Sequence, residues 1–359
     1  MANRLVTKFM IAAVAALPLV SCEKNEEPPI PDSGVDFSIN GIYVLNQGNF
    51  YKGIEGSFNV LDFSNGTSVL NVFQKTNNRS IGATPQCGTA HGSKIYIGVY
   101  ESNTIEVIDR NDYKSIKQIS CNSSLGSQPR SMVAEGGYVY ISMFDGYVAR
   151  LDTVSLEIDA SVAVGPNPEI MASKNGKLYV PNSDGLSMTG TFGKIASIID
   201  MASFTVERNI EVPQNPVQFF TSNNGVFLLC NGNYYDENAK IYKVNDDYSV
   251  TAIDDATVAE ICGDYICYVN DPFYGSGTPD YKKYNIQTGE ISDWTIERPE
   301  YANTIYYDKV NKNICIYSLK YYGGIWPSYE LPGYVAVYDE NGKHLNDYAV
   351  GTGPACLFQ

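Results

Sequence analysis

The chain has 359 residues, 44% of them apolar, and a formal net charge of -15. The apolar content is ample for a folded core, whereas a nucleic acid or an anionic membrane surface would be repelled by the charge, which argues against both as partners. The 28 Tyr outnumber the 14 Phe and 2 Trp, a bias that suits strand faces and polar binding surfaces.

Residues 1–21 read as an export signal. Arg4 and Lys8 supply its positive start, and the apolar run 9–20 is too short to span a bilayer. The run ends in Leu19-Val20-Ser21-Cys22, which resembles the bacterial lipobox, where small residues precede a Cys that is lipidated and becomes the mature N-terminus. Cys22 is therefore the expected lipidation site. Residues 22–36 form an acidic tether that continues through Pro28-Pro29-Ile30-Pro31 in an extended form. Acidic residues directly after the Cys resemble the surface-export signal of Bacteroidetes lipoproteins. The resemblance implies an outer-membrane protein that is held by its lipid alone and faces the cell exterior.

Residues 37–359 read as one domain built from a repeat. The stretch 165–216 shows the unit most clearly: Gly165-Pro166-Asn167-Pro168, a turn at Asn175-Gly176, then strand-like runs at 178–182, 195–200 and 204–210, before Asn215-Pro216 restarts the cycle. Units begin near Pro85, Pro129, Pro168, Pro216, Val258, Ala302 and Pro354, and the 269 residues from first to last give a mean spacing of about 45, the length of a four-stranded propeller blade. Second strands are expected at 42–46, 94–98, 138–142, 178–182, 226–231, 266–270 and 314–318, which makes seven. The first unit lacks an inner strand, and the chain ends in an unpartnered strand pattern at 355–359. The two deficits fit each other. The fold class is all-β: a seven-bladed β-propeller of four-stranded blades, its ring closed by the C-terminal strand completing the N-terminal blade. Asp residues that close third strands are expected to cap the following turns.

Connections on one face are short and Gly-rich, whereas the loops after the second strands vary in length and carry aromatics and amides. Variable loops of this kind read as a binding surface. The candidate ligand-binding residues are Gln47, Phe50, Tyr51, Tyr100, Phe144, Asn233, Tyr234, Tyr235, Phe273, Tyr274, Tyr321, Tyr322 and Trp326. Arg130 joins them at the channel mouth, where it and Glu169 begin inner strands and either contact a ligand or form a structural ion pair. Catalysis finds little support. The only His are His91 and His344, and no phosphate loop or nucleophile elbow occurs, so no enzymatic activity, metal or cofactor is expected. Asp246-Asp247 and Asp254-Asp255 are assigned to turns as solvated charge. The seven cysteines after Cys22 have irregular spacing and read mostly as small buried apolar residues.

The phrases Gly-Pro-Asn-Pro-Glu at 165–169, Asn-Gly-Lys-Leu-Tyr-Val-Pro-Asn at 175–182 and Ile-Ile-Asp at 198–200 resemble the YncE-like propellers over nearly the whole mature chain. With the lipobox and acidic tether they resemble the BtuG group of Bacteroidetes surface lipoproteins. That resemblance implies capture of a cobamide such as vitamin B12 and its delivery to a TonB-dependent outer-membrane transporter. Three other readings stay open: a scaffold for protein partners, a glycan-binding or glycan-processing propeller, and a hydrolase or lyase using carboxylates at the channel mouth.

Overall fold

The computed structural model describes residues 40–121, 124–271, 279–298, 301–322 and 326–359, with the backbone alone for Tyr321, Tyr322 and Trp326. The expected signal and tether, Cys22 included, and the pair Phe273 and Tyr274 lie outside the described residues.

Seven antiparallel four-stranded sheets follow one another along the chain. From inner to outer strand, blade 2 is Pro85–His91, Lys94–Val99, Thr104–Asp109 and Ser115–Ser120, and blades 3 and 5 repeat it from Pro129 and Pro216. Blades 6 and 7 start at Val258 and Ala302, as the spacing requires. Blade 1 takes its inner strand from the other end of the chain: Pro354–Phe358 pairs antiparallel with Gly41–Asn46, bringing Tyr43 opposite Phe358 and Val44 opposite Leu357. The expected closure is present. Asn46, fully buried, accepts a hydrogen bond from the Tyr317 hydroxyl of blade 7 and donates to Ser57 Oγ at 3.0 Å, so a satisfied polar link crosses the seam.

Apolar side chains pack between blades. Each of seven buried clusters straddles two neighbours, for example Ile95 and Ile97 of blade 2 against Leu45, Phe58 and Phe358 of blade 1, or Tyr179 and Ile198 of blade 4 against Phe219 and Leu228 of blade 5. Alternation along each strand feeds two interfaces at once, so the axis is left as a channel.

The Asp caps hold. Asp62, Asp109, Asp152, Asp200 and Asp339 each accept backbone N–H groups of the turn that follows, at 2.7 to 3.3 Å. Asp247 does the same for Ser249. Asp254 and Asp255 differ from expectation: they end the strand Val250–Asp255 and pair with Lys282 at 3.3 Å and Lys240 at 2.6 Å. For Asp255 the cause is cross-strand register, because it stands opposite Lys240, whereas Asp254 reaches Lys282 of the next blade; sequence separation conceals both contacts. The short helix Val72–Asn77, which buries Phe73 between blades 1 and 2, also had no sequence signal.

Candidate functional site

One local device sets the geometry of the channel mouth. Thr84, Gln128, Asn167 and Asn215, each immediately before a proline, have left-handed φ angles of 62, 63, 49 and 60°, and Gly353 before Pro354 has 74°. For a side chain other than glycine this conformation costs about 1 kcal/mol, and Pro85, Pro129, Pro216 and Pro354 then start inner strands without an N–H to satisfy, while Pro168 makes only an isolated bridge to Asn182. Each of the five carbonyls accepts the N–H of the residue just past the blade's second strand. The donors are Tyr100 to Thr84 at 2.8 Å, Phe144 to Gln128 at 2.9 Å, Ser183 to Asn167 at 3.1 Å, Asn231 to Asn215 at 2.8 Å and Gln47 to Gly353 at 2.7 Å. In blade 6 the Thr257 hydroxyl takes over, accepting the Asp271 N–H at 3.1 Å. Gln47, Tyr100 and Phe144 therefore occupy equivalent clamped positions on three successive blades.

Those three residues converge. With Phe50, Tyr51, Gln86, Glu101, Arg130 and Tyr329 they line a cleft of about 470 Å³ over blades 1 to 3. Tyr100 meets Phe144 edge to face at 5.7 Å, and Phe50 meets Tyr51 likewise at the same separation. Burial, then the Glu101 carboxylate, raises the Tyr100 phenol above its ordinary value, so it stays a neutral donor. Asn49 donates to the Tyr329 carbonyl at 3.0 Å and Lys52 pairs with Glu330 at 3.0 Å, tying the blade 1 loop to that of blade 7.

Arg130 and Phe144 also border a second cavity, about 460 Å³, that descends into the channel past Glu169, Ile170, Gln218 and Tyr306. The two readings of Arg130 turn out to be compatible: its Nε donates to Glu169 Oε2 at 2.6 Å, while its guanidinium carbon lies 5.9 Å from the Phe144 ring and faces both cavities. Glu169 is buried and its other oxygen accepts from Ser183 Oγ at 3.2 Å. Its placement has a backbone cause. The inner strand of blade 4 is only Ala172–Lys174: Glu169 still donates its N–H to the Pro181 carbonyl at 2.9 Å, but the next residue, Ile170, turns to blade 5 and bridges in parallel to Gln218.

On the far side of the mouth Tyr234 stands against Phe192 edge to face at 5.6 Å and accepts from Asn231 Nδ2 at 3.1 Å. Tyr235, 94% exposed, projects beside it. Asn233 is committed to the loop itself: its Oδ1 accepts from the N–H groups of Tyr235, Asp236 and Glu237. Tyr321–Tyr322 and Trp326–Pro327 form a two-stranded ribbon of their own in the blade 7 loop. Sequence reasoning missed Gln86, Gln218, Ile170, Leu186 and Tyr329. The first two lie on inner strands, where the start of a unit was legible but not which residues face the axis.

Among the described residues, no three His, Cys, Asp or Glu side chains gather as a metal site would require. His91 ends the inner strand of blade 2, and His344 begins the outer strand of blade 7 beside Asp347 at 2.9 Å. The seven described cysteines are free thiols, six of them buried.

No family model matches the sequence, and no curated protein aligns with it. Solved structures do match. A quinonprotein alcohol dehydrogenase-like protein from Bacteroides thetaiotaomicron superimposes with a TM-score of 0.60 at 14% identity, over 90% of this chain and 78% of its own. The hydrazine synthase of Kuenenia stuttgartiensis gives 0.54 at 14% identity over 71% and 76%. The Pan2 WD40 domain of Neurospora crassa gives 0.53 at 9% over 76% and 81%. At such identities the likeness defines a seven-bladed propeller and carries no activity across, even where the similar structure is an enzyme.

Proposed function

We propose that this protein is a non-catalytic surface lipoprotein, YncE-like and of the BtuG kind, that binds a cobamide on its aromatic face and delivers it to a TonB-dependent outer-membrane transporter. The observation that carries the reading is the distribution of exposed rings. Phe50, Tyr51, Tyr234, Tyr235 and Tyr329 all emerge on the channel-mouth face, and of the exposed aromatics only Tyr265 lies elsewhere among the described residues. Solvated rings gathered on one face favour a partner that buries them. Two adjoining cavities sharing Arg130 and Phe144 suit a ligand too broad for either alone.

A corrinoid is broad, rimmed with amides and largely uncharged at its edge, which matches tyrosine hydroxyls with Gln47, Gln86, Asn231 and Gln218 better than a charged pocket would. At roughly 0.3 kcal/mol per heavy atom, a ligand of ~90 such atoms is not limited by contact number, and tight binding is physically admissible. Sugar stacking is less well served, since Trp294 is buried against Tyr281. Delivery to the transporter and the lipid anchor rest on the resemblance and on Cys22. The first experiment is to mix the purified protein with cyanocobalamin and desalt it. The proposal expects red protein in the void fraction at one vitamin per chain, and vitamin eluting entirely in the salt volume would refute it.

A further inference from the structure

The opposite end of the channel holds another cavity, of about 450 Å³, within the size range of small-ligand sites. It shares only Glu260 and Tyr306 with the cavity above. Arg110 reaches it from the end of the third strand of blade 2 and Lys309 from the turn after the inner strand of blade 7. Arg110 is pre-positioned: its Nε donates to the Tyr43 hydroxyl at 3.3 Å and its guanidinium lies 5.8 Å from that ring. Neither Arg110 nor Lys309 forms an ion pair among the described residues, whereas Arg130, Arg150, Lys240 and Lys282 each have a carboxylate partner. In a chain of net charge -15, two cations without ion pairs facing one cavity run against the overall charge. Ile261, Tyr306 and Val310 supply apolar surface to the same lining. Glu260 is the single acidic side chain of the lining. Burial pushes its carboxyl up to about 7, so near neutrality it offsets the cations only in part.

We propose that this cavity binds a small organic anion, its carboxylate held by Arg110 and Lys309 and its carbon skeleton laid against Ile261, Tyr306 and Val310. Arginine presents a planar fork to a carboxylate and lysine adds a second charge, so the pair selects the anionic group while the apolar surface selects carbon over bare inorganic ions. This site is independent of the aromatic face. To test it, the full chain is titrated with benzoate, succinate, citrate and inorganic phosphate by ligand-observed NMR, and crystals soaked in 4-bromobenzoate locate the bromine by anomalous scattering.

The expected results are binding of at least one organic acid, bromine at the Arg110 end of the channel, and an affinity loss of about tenfold or more in both Arg110→Gln and Lys309→Gln. Lys309 is exposed, so its variant is expected to fold even if loss of the Tyr43 contact impairs Arg110→Gln. Tyr51→Ala leaves this binding unchanged. Absence of organic-acid binding, bromine elsewhere, indifference to Lys309→Gln, or binding of phosphate alone would each overturn the proposal.

Discussion

The two ends of the channel are built from the same seven blades and hold cavities of similar volume, yet differ in loop length, exposed rings and charge. At one end the connections are long, carry exposed rings such as Tyr51 and Tyr235, and are fixed by carbonyls of left-handed residues at strand starts. At the other they are tight turns around Gly176 and Gly263, and two cations face a cavity. The repeat dictates strand pairing and blade packing, so selection for stability acts alike on both ends. Differences between the ends lie in the connections and not in the blades.

The largest effect comes from breaking the ring on which both ends depend. Deleting residues 354–359 removes an inner strand and buried Leu357 and Phe358; at about 2 kcal/mol for each buried side chain, with ladder hydrogen bonds in addition, the loss is on the order of 5 kcal/mol. Thermal unfolding is expected to shift down by about 10 °C, and a truncation that melts like the full chain would remove the closure. A second effect depends on pH. Glu260, between the two cavities, has its carboxyl raised from 4.5 to about 7 by burial, so the folded state holds this proton more tightly than the unfolded one. Stability from this group is full below pH 4.5 and falls as pH rises toward 7, by no more than about 3 kcal/mol. Melting at pH 5 and pH 8 should show that fall in the natural protein and its absence in Glu260→Gln.

The seam supplies a smaller test. Asn46→Ala leaves the buried Tyr317 hydroxyl without its acceptor, at about 2 kcal/mol in denaturant unfolding. Tyr317→Phe in the same background should restore part of that loss, since no donor is then stranded. Smallest in energy but most specific is Tyr51→Ala. This ring is 91% exposed, so the melting temperature should not move, while cobamide affinity drops about tenfold by calorimetry.

The architecture was legible because a repeat is a period, and strand alternation, Pro-marked starts and the mismatched chain ends all report it. The placement of the candidate residues was legible in part. Gln47, Tyr100 and Phe144 follow second strands that the pattern locates, and they do meet in one cleft. Asn233 looked like a recognition amide yet caps its own loop, because an amide beside a turn satisfies whichever N–H groups are nearest. Gln86 and Gln218 escaped notice because a bulge follows Pro85 and Pro216, and a register shift changes which residues face the axis. The Asp255–Lys240 pair was hidden for a related reason, being set by cross-strand register and not by sequence distance.

The most direct test of function is calorimetric titration of cyanocobalamin into the natural protein, the combined Tyr51→Ala, Tyr100→Ala and Phe144→Ala variant, and Lys309→Gln. Tight one-to-one binding by the natural protein and Lys309→Gln, with the combined variant weaker by about a hundredfold or more, is the expected result. No heat of binding in any of them, or equal affinity in all three, would contradict an aromatic face that captures a cobamide.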